Sequence, residues 1–413
     1  MKTKIIVRVF IAAVFLIMLI RYYDRGPSRQ YSDFRVYHTI AVRFLNGENI
    51  YEAEDTAKLT PFKYSPGFAV LISPLGWLPI HAASLVFFTV NFILFVLLFV
   101  LSGKFLYLFY DQKLTGWKKF LLYAIPLLAV FRFGLLVLDS GQANLLMAVP
   151  ALAGLYQIQK NKEWSGGALL AFSVLMKYVT FIFVPYLILR KKWKALLSML
   201  VWAVVYCFSP ALFHGFGRAT KYLLDWMPFI TKTSLDQGSW TDYKNQSVYS
   251  WVVRWLLTDS PYKALQYSFS VLNFHDALRV GIGVVLCLYA WALYPAARGK
   301  DRQPLMTYAA LFAGVALFNP NCWPFNFLVL CLPVMVLTHH LIQSGFRDRW
   351  TFLFCAVSII LLNIGSQSIA NDELQYASEV QSFMTIGGLI IYFLAVRCSA
   401  TSRTCLEAKG LGI

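Results

Sequence analysis

Charge is scarce in this sequence. Only 14% of its 413 residues are Asp, Glu, Lys or Arg, against about 25% in a soluble globular chain. That shortage excludes a disordered tail, a coiled coil and an ordinary soluble enzyme. Metal-binding patterns are missing too. The 7 cysteines are scattered with no C-x-x-C pair. Cys207, Cys287, Cys331 and Cys355 fall inside apolar runs and read as small packing residues, not as a disulfide framework or zinc site. His38, His214 and His275 share no ligand spacing, so no metal is expected. There is no P-loop, dinucleotide fingerprint or nucleophile elbow, and no organic cofactor is expected. Heptads, solenoid periods and low-complexity tracts are absent as well.

What the sequence has in abundance is apolar surface: 58% of residues are hydrophobic and 17% aromatic. Lys and Arg number 37 against 20 Asp and Glu, a formal charge of +17. The basic residues form short clusters between long apolar runs. That placement follows the positive-inside rule, whereas nucleic-acid binding needs a basic, water-exposed face. The expected partner is therefore a lipid bilayer and not a nucleic acid.

A helix needs about 20 apolar residues to cross the hydrocarbon core. Runs near 5–21, 80–102, 119–137, 142–158, 194–213, 277–297, 304–319, 325–342, 350–367 and 382–397 qualify. The fold class expected is an all-α polytopic membrane bundle of about ten to twelve helices, forming one integral domain over 1–413. The first run is followed by Arg21-Tyr22-Tyr23-Asp24 and no small-x-small cleavage site, which favours an uncleaved helix over a signal peptide. Basic clusters at Lys2/Lys4/Arg8, Lys104/Lys113/Lys118/Lys119, Lys160/Lys162, Arg298/Lys300/Arg302, Arg347/Arg349 and Arg397/Arg403/Lys409 put both termini in the cytoplasm. The membrane expected is a bacterial inner or plasma membrane.

A further apolar stretch, 166–189, is interrupted by Lys177 and followed by Arg190, Lys191, Lys192 and Lys194. A single crossing would put that cluster outside. Two half-helices that enter and return, meeting at Lys177, keep it inside. A charge at bilayer depth costs about 2.5–3.5 kcal/mol on insertion scales, and irregular backbone there must line protein or water. The alternative is one tilted helix with Lys177 snorkelling.

Two extracytoplasmic segments remain, 22–79 and 214–276. Both are expected to carry short interfacial helices, including 248–257 with Trp251 and Trp255 on one face. In the first, Ser32 before Asp33 can cap a helix running to Leu45 and ended by Asn46-Gly47. Asp33 then stands in the first turn with Tyr37 one turn on. Taken alone, its role could be only to favour the helix N-terminus. Polar residues recur on the same side of the membrane: Tyr64-Ser65-Pro66, Arg132, Asp139, Gly141-Gln142-Ala143-Asn144, Asn245-Gln246-Ser247 and Asn319 to Pro324. Arg132 with Asp139 could be a structural ion pair, and each Gly or Pro corner a plain turn. Clustered together, they predict an outward-facing aqueous cavity rich in amides and aromatic faces, which suit a sugar.

In the order Asp33…Tyr37, Gly47…Tyr51, Tyr64-Ser65-Pro66, Pro74-Leu75, Gly141-Gln142-x-Asn144, Lys177, Asn245-Gln246-Ser247 and Trp323, the chain resembles the polytopic glycosyltransferases of the GT-C class, most closely glycosyltransferase family 87. Members often carry His shortly after the Trp of the later outer corner; here Pro324, Phe325 and Asn326 follow. The resemblance implies a GT-C-like bundle using a polyprenyl-phosphate-linked sugar donor, typically mannose, and a glycolipid or glycan acceptor. It makes Asp33 the catalytic carboxylate. In an inverting transfer Asp33 would act as general base. Lys177 and Arg132 would bind the donor phosphate. Tyr37, Tyr64, Gln142, Asn144, Asn245, Gln246 and Trp323 would contact sugar or acceptor. The other reading is a transporter or flippase of a lipid-linked precursor, for which paired discontinuous helices in both halves are the expected signature.

Overall fold

A computed structural model describes residues 2–25, 32–51, 62–111, 113–232, 237–258, 269, 271–366 and 369–401. The chain begins with α1 (Lys2–Arg25), α2 (Ser32–Leu45) and α3 (Pro66–Ile72). Three helices follow: α4 (Ile80–Leu106), α5 (Gly116–Ser140) and α6 (Asn144–Gln159). Next come α7 (Glu163–Met176), α8 (Phe183–Leu189), α9 (Trp193–Phe208), α10 (Ala211–Lys232), α11 (Gln237–Thr241) and α12 (Val248–Leu256). The last third holds α13 (Phe274–Ala297), α14 (Pro304–Leu317), α15 (Cys331–Gln343), α16 (Arg349–Asn363), α17 (Asp372–Val380) and α18 (Phe383–Thr401). Among the described residues the regular structure is helical throughout.

Four helical stretches are long and apolar enough to cross a bilayer alone: α4, α5, α13 and Pro324–Gln343, in which a 3-10 turn runs into α15. Two bent pairs, α9 with α10 and α17 with α18, would raise the number to six if each were counted as one span. Several runs read as whole spans are therefore shorter. The run 194–213 breaks between Phe208 and Ala211, and the runs near 142–158, 304–319 and 350–367 form helices of 16, 14 and 15 residues. α14 and the first half of α15 sit at the centre, with Leu305 to Phe318 and Cys331 to Leu337 buried without interruption. Leu197, Leu200 and Val204 on α9, and Leu286 and Trp291 on α13, point outward instead. This is the surface expected of a protein whose solvent is hydrocarbon.

The basic clusters gather at one end. Lys192 Nζ lies 3.1 Å from Glu163 Oε1, and Arg190 lies 3.7 Å from Asp301, which also accepts a bond from Tyr186 at 2.6 Å. The stretch 163–192 thus enters and returns to the same end. Ser173 donates to Thr180 at 3.1 Å across the turn, and Lys177 stands at the tip in an extended conformation. Small residues let this hairpin pack tightly: a Cβ on Gly166 would stand 2.6 Å from Gly154 O of α6. At the other end, Arg21 and Asp139 close an ion pair at 2.7 Å, joining the end of α1 to the end of α5. Arg132 and Asp139 do not pair with each other. They lie seven residues apart on one helix, about 10.5 Å along its axis; Arg132 turns to Glu379 at 4.0 Å and to Leu362 O at 3.2 Å. The side chains of Lys2, Lys4 and Arg8, and residues Arg403 and Lys409, lie outside what is described.

Candidate active site

α2 forms over the residues its sequence signals, with Asp33 in its first turn. Phe34, Tyr37, Ile40, Ala41 and Phe44 are buried, while Asp33 itself is only partly covered. The end of α5 meets it there. Gly141 has φ +66°, and a Cβ at that position would stand 2.7 Å from Phe34 Cβ. Glycine is therefore needed twice over, for the left-handed turn and for the close approach. Past this turn Gln142 Nε2 donates to Asp33 Oδ2. Burial raises the Asp33 carboxyl above its ordinary range; the Gln142 hydrogen bond and the positive charge of Lys177 pull against that rise.

Two residues on, Asn144 accepts a bond from Lys177 Nζ and donates 2.9 Å to Asn326 Oδ1. Lys177 Nζ also stands 5.3 Å from the ring centroid of Phe325, where the cation meets the negative face of the ring. The tip of the hairpin, the α5–α6 turn and the Trp323 corner therefore converge beside α2. Tyr37 and Tyr64 complete this wall, their hydroxyls 2.7 Å apart. Tyr51 OH donates to Tyr64 O at 2.8 Å and steadies that segment. Asp33 and Tyr37 share one helix face, so the Tyr37–Tyr64 pair lies next to the carboxylate.

Asp33, Tyr37, Tyr64, Gln142, Asn144 and Lys177 are thus brought together. Others stand apart from this network. Asn245 and Gln246 are buried and engaged with the backbone around them: Asn245 Nδ2 donates 2.8 Å to Pro320 O, and Gln246 Nε2 donates 2.7 Å to Glu379 O. They brace the corner that presents Phe325 and Asn326. Trp323, half-buried, begins the 3-10 turn Pro324–Leu330 of the same corner. Arg132 is held by Leu362 and Glu379. Phe325 and Asn326 join the site although sequence reasoning gave them no role. The only sign of them was their place just after Trp323.

With that geometry in view, the comparisons with known proteins converge. The model of Glycosyltransferase family 87 matches residues 62–320, more than half of the chain. The chain belongs to glycosyltransferase family 87. The family match takes in Tyr64, Gln142, Asn144, Lys177, Asn245 and Gln246; Asp33 and Tyr37 lie before it and Trp323 just after it. Two curated relatives are similar at low identity. An alpha-(1->3)-arabinofuranosyltransferase of Corynebacterium glutamicum is 23% identical over 209 residues, 49% of this chain and 46% of that protein. A polyprenol-phosphate-mannose-dependent alpha-(1-2)-phosphatidylinositol mannoside mannosyltransferase of Mycolicibacterium smegmatis is 25% identical over 321 residues, 73% of this chain and 66% of that protein. The matches thus span about half of one relative and about two thirds of the other.

Proposed function

We propose that this family 87 chain acts as one membrane-embedded unit to move a sugar, mannose, from a polyprenyl-phosphate carrier to a hydroxyl of a glycolipid or glycan. The reaction takes place at the membrane surface where α2 lies, the extracytoplasmic side, with the basic end and both termini in the cytoplasm of a bacterial inner or plasma membrane. The observation that carries the reading is that Gln142 bonds Asp33 while Asn144, two residues on, bonds Lys177, so that one turn between α5 and α6 holds both charged side chains. A carboxylate and a cation in one membrane-level site suit a base and a phosphate partner.

In this scheme the acceptor oxygen bonds to the anomeric carbon as the carbon–oxygen bond to the phosphate breaks. Asp33 takes the acceptor proton, and the polyprenyl phosphate departs with the electron pair. Gln142 occupies one carboxylate oxygen and leaves the other for the acceptor. The leaving group is already a stable anion, so a cation at the phosphate serves where an acid would be superfluous. Lys177 supplies it. Tyr37, Tyr64 and Asn144 offer hydroxyl and amide contacts to the sugar. A single displacement inverts the anomeric centre. The test is transfer by purified protein from radiolabelled polyprenyl-phosphate sugars to candidate lipid acceptors, with product stereochemistry read by NMR. An inverted product from the mannose donor is expected; no transfer from any polyprenyl-phosphate sugar, or a retained configuration, would contradict the scheme.

A further inference from the structure

We propose that α10 is a membrane-lying helix, its Phe216, Leu224 and Met227 side chains sunk among the acyl chains of the leaflet at the Asp33 end and Arg218 and Lys221 level with the lipid headgroups. This rests on reading the chain as a membrane protein, not on the transferase assignment. α9 starts beside Glu163 at the basic end and finishes at the opposite end, where a Cβ on Gly67 of α3 would meet Tyr206 of α9. The chain then turns by 96°. A helix at that angle to a crossing helix runs along the bilayer plane. Gly215, at φ +75°, makes the final adjustment.

From Phe216 onward three stripes recur at helical spacing. Ala219 and Tyr222 are buried and Trp226 is half-buried, all against the protein. Tyr222 OH donates 2.7 Å to Glu48 O, and Trp226 Nε1 donates 3.1 Å to Lys63 O, next to Tyr64. Phe216, Leu224 and Met227 form a second stripe, 74%, 65% and 52% exposed. At about 100° per residue this stripe lies roughly a third of a turn from the buried one. Gly217, Arg218 and Lys221 form the third, also exposed, with the half-buried Asp225 on the same side. Such a share of bare apolar surface on a helix that water surrounded would be an association hazard. Here it continues the outward apolar face of α9, where Leu197, Leu200, Val204 and Val205 are exposed. The leaflet at the Asp33 end covers α10 together with the last turns of α9, around Val204 and Val205. The basic stripe beside the apolar one suits lipid phosphates.

The unmodified full chain tests this in nanodiscs of phosphatidylcholine and phosphatidylglycerol. A phospholipid carrying a diazirine high on its acyl chain is photolysed, and the crosslinks are mapped by mass spectrometry. Adducts are expected on Phe216, Leu224 and Met227, with Lys221 modified by a water-soluble carbene reagent. A second measurement uses nitroxides at positions 216, 224 and 221 in a cysteine-replaced chain that keeps its melting temperature. Collisions with oxygen should exceed those with a nickel chelate at 216 and 224, and the order should reverse at 221. Acyl-chain adducts absent from α10, or nickel-dominated collisions at all three positions, would overturn the proposal. Neither readout depends on turnover, so failure of the transferase reading would leave both results standing.

Discussion

Lys177→Met removes the cation at the tip of the hairpin and keeps most of its length. The side chain makes two contacts, to Asn144 Oδ1 and to the face of Phe325. If it also meets the donor phosphate, losing that charged hydrogen bond costs about 1.5–3 kcal/mol. At about 1.4 kcal/mol per decade, donor affinity falls roughly 10- to 150-fold. Folding should respond differently. Taking a charge away from membrane depth relieves a burden of about 2.5–3.5 kcal/mol on insertion scales, which offsets the lost bond to Asn144. The melting temperature should therefore hold or rise while the donor Kd weakens. Equilibrium binding of a non-transferable polyprenyl-phosphate analogue, measured beside thermal melts, separates the two effects. Donor affinity within about twofold of the parent, or a loss that merely follows a fall in melting temperature, would remove Lys177 from the phosphate.

The raised Asp33 carboxyl makes a pH prediction. Its basic form is lost as pH falls through the folded-state pKa, so the acid limb of kcat/KM should lie above the ordinary carboxylate value of about 4. Gln142→Leu and Lys177→Met each withdraw support for the charged form and should move that limb further up. A limb that stays in place in both variants would contradict the pairing. Gly141→Val forces a left-handed backbone on a branched residue and sets its Cβ against Phe34. A loss of about 1–3 kcal/mol in stability is expected, with kcat reduced because α2 must shift; denaturant titration and initial rates check both. Arg132→Gln removes one of the two cations near Glu379 and should lower the melting temperature by a few degrees with little change in donor KM. A donor-selective defect would return Arg132 to the phosphate.

Local signals made α2 legible. An acidic first turn and a terminal Asn-Gly bracket an apolar face, and the helix occupies Ser32–Leu45, while the Ser32 side chain expected to cap it lies outside the described residues. Lys177 inside an apolar stretch, followed by four basic residues, likewise marked the hairpin, because burying one charge and translocating a cluster are both costly. Partner choice across the chain was less visible. Asn144 pairs with Asn326, 182 positions away, and no short-range pattern encodes that meeting. Arg132 and Asp139 looked like neighbours in sequence, yet helix geometry sets them two turns apart and other elements claim each. The run 194–213 read as one span. Its apolar character continues past Phe208, but hydropathy is blind to direction and the 96° turn is invisible to it.

The central claim is that Asp33 takes the acceptor proton, and Asp33→Asn tests it most directly. The amide keeps an oxygen for Gln142 and removes only the basicity, and it relieves the burial of a charge, so the fold should be unharmed. General-base catalysis contributes about 10²- to 10⁴-fold. Single-turnover transfer from polyprenyl-phosphate mannose to a lipid acceptor should therefore slow by at least about 100-fold, with donor affinity and melting temperature nearly unchanged. Transfer within about tenfold of the parent rate would show that the proton goes elsewhere.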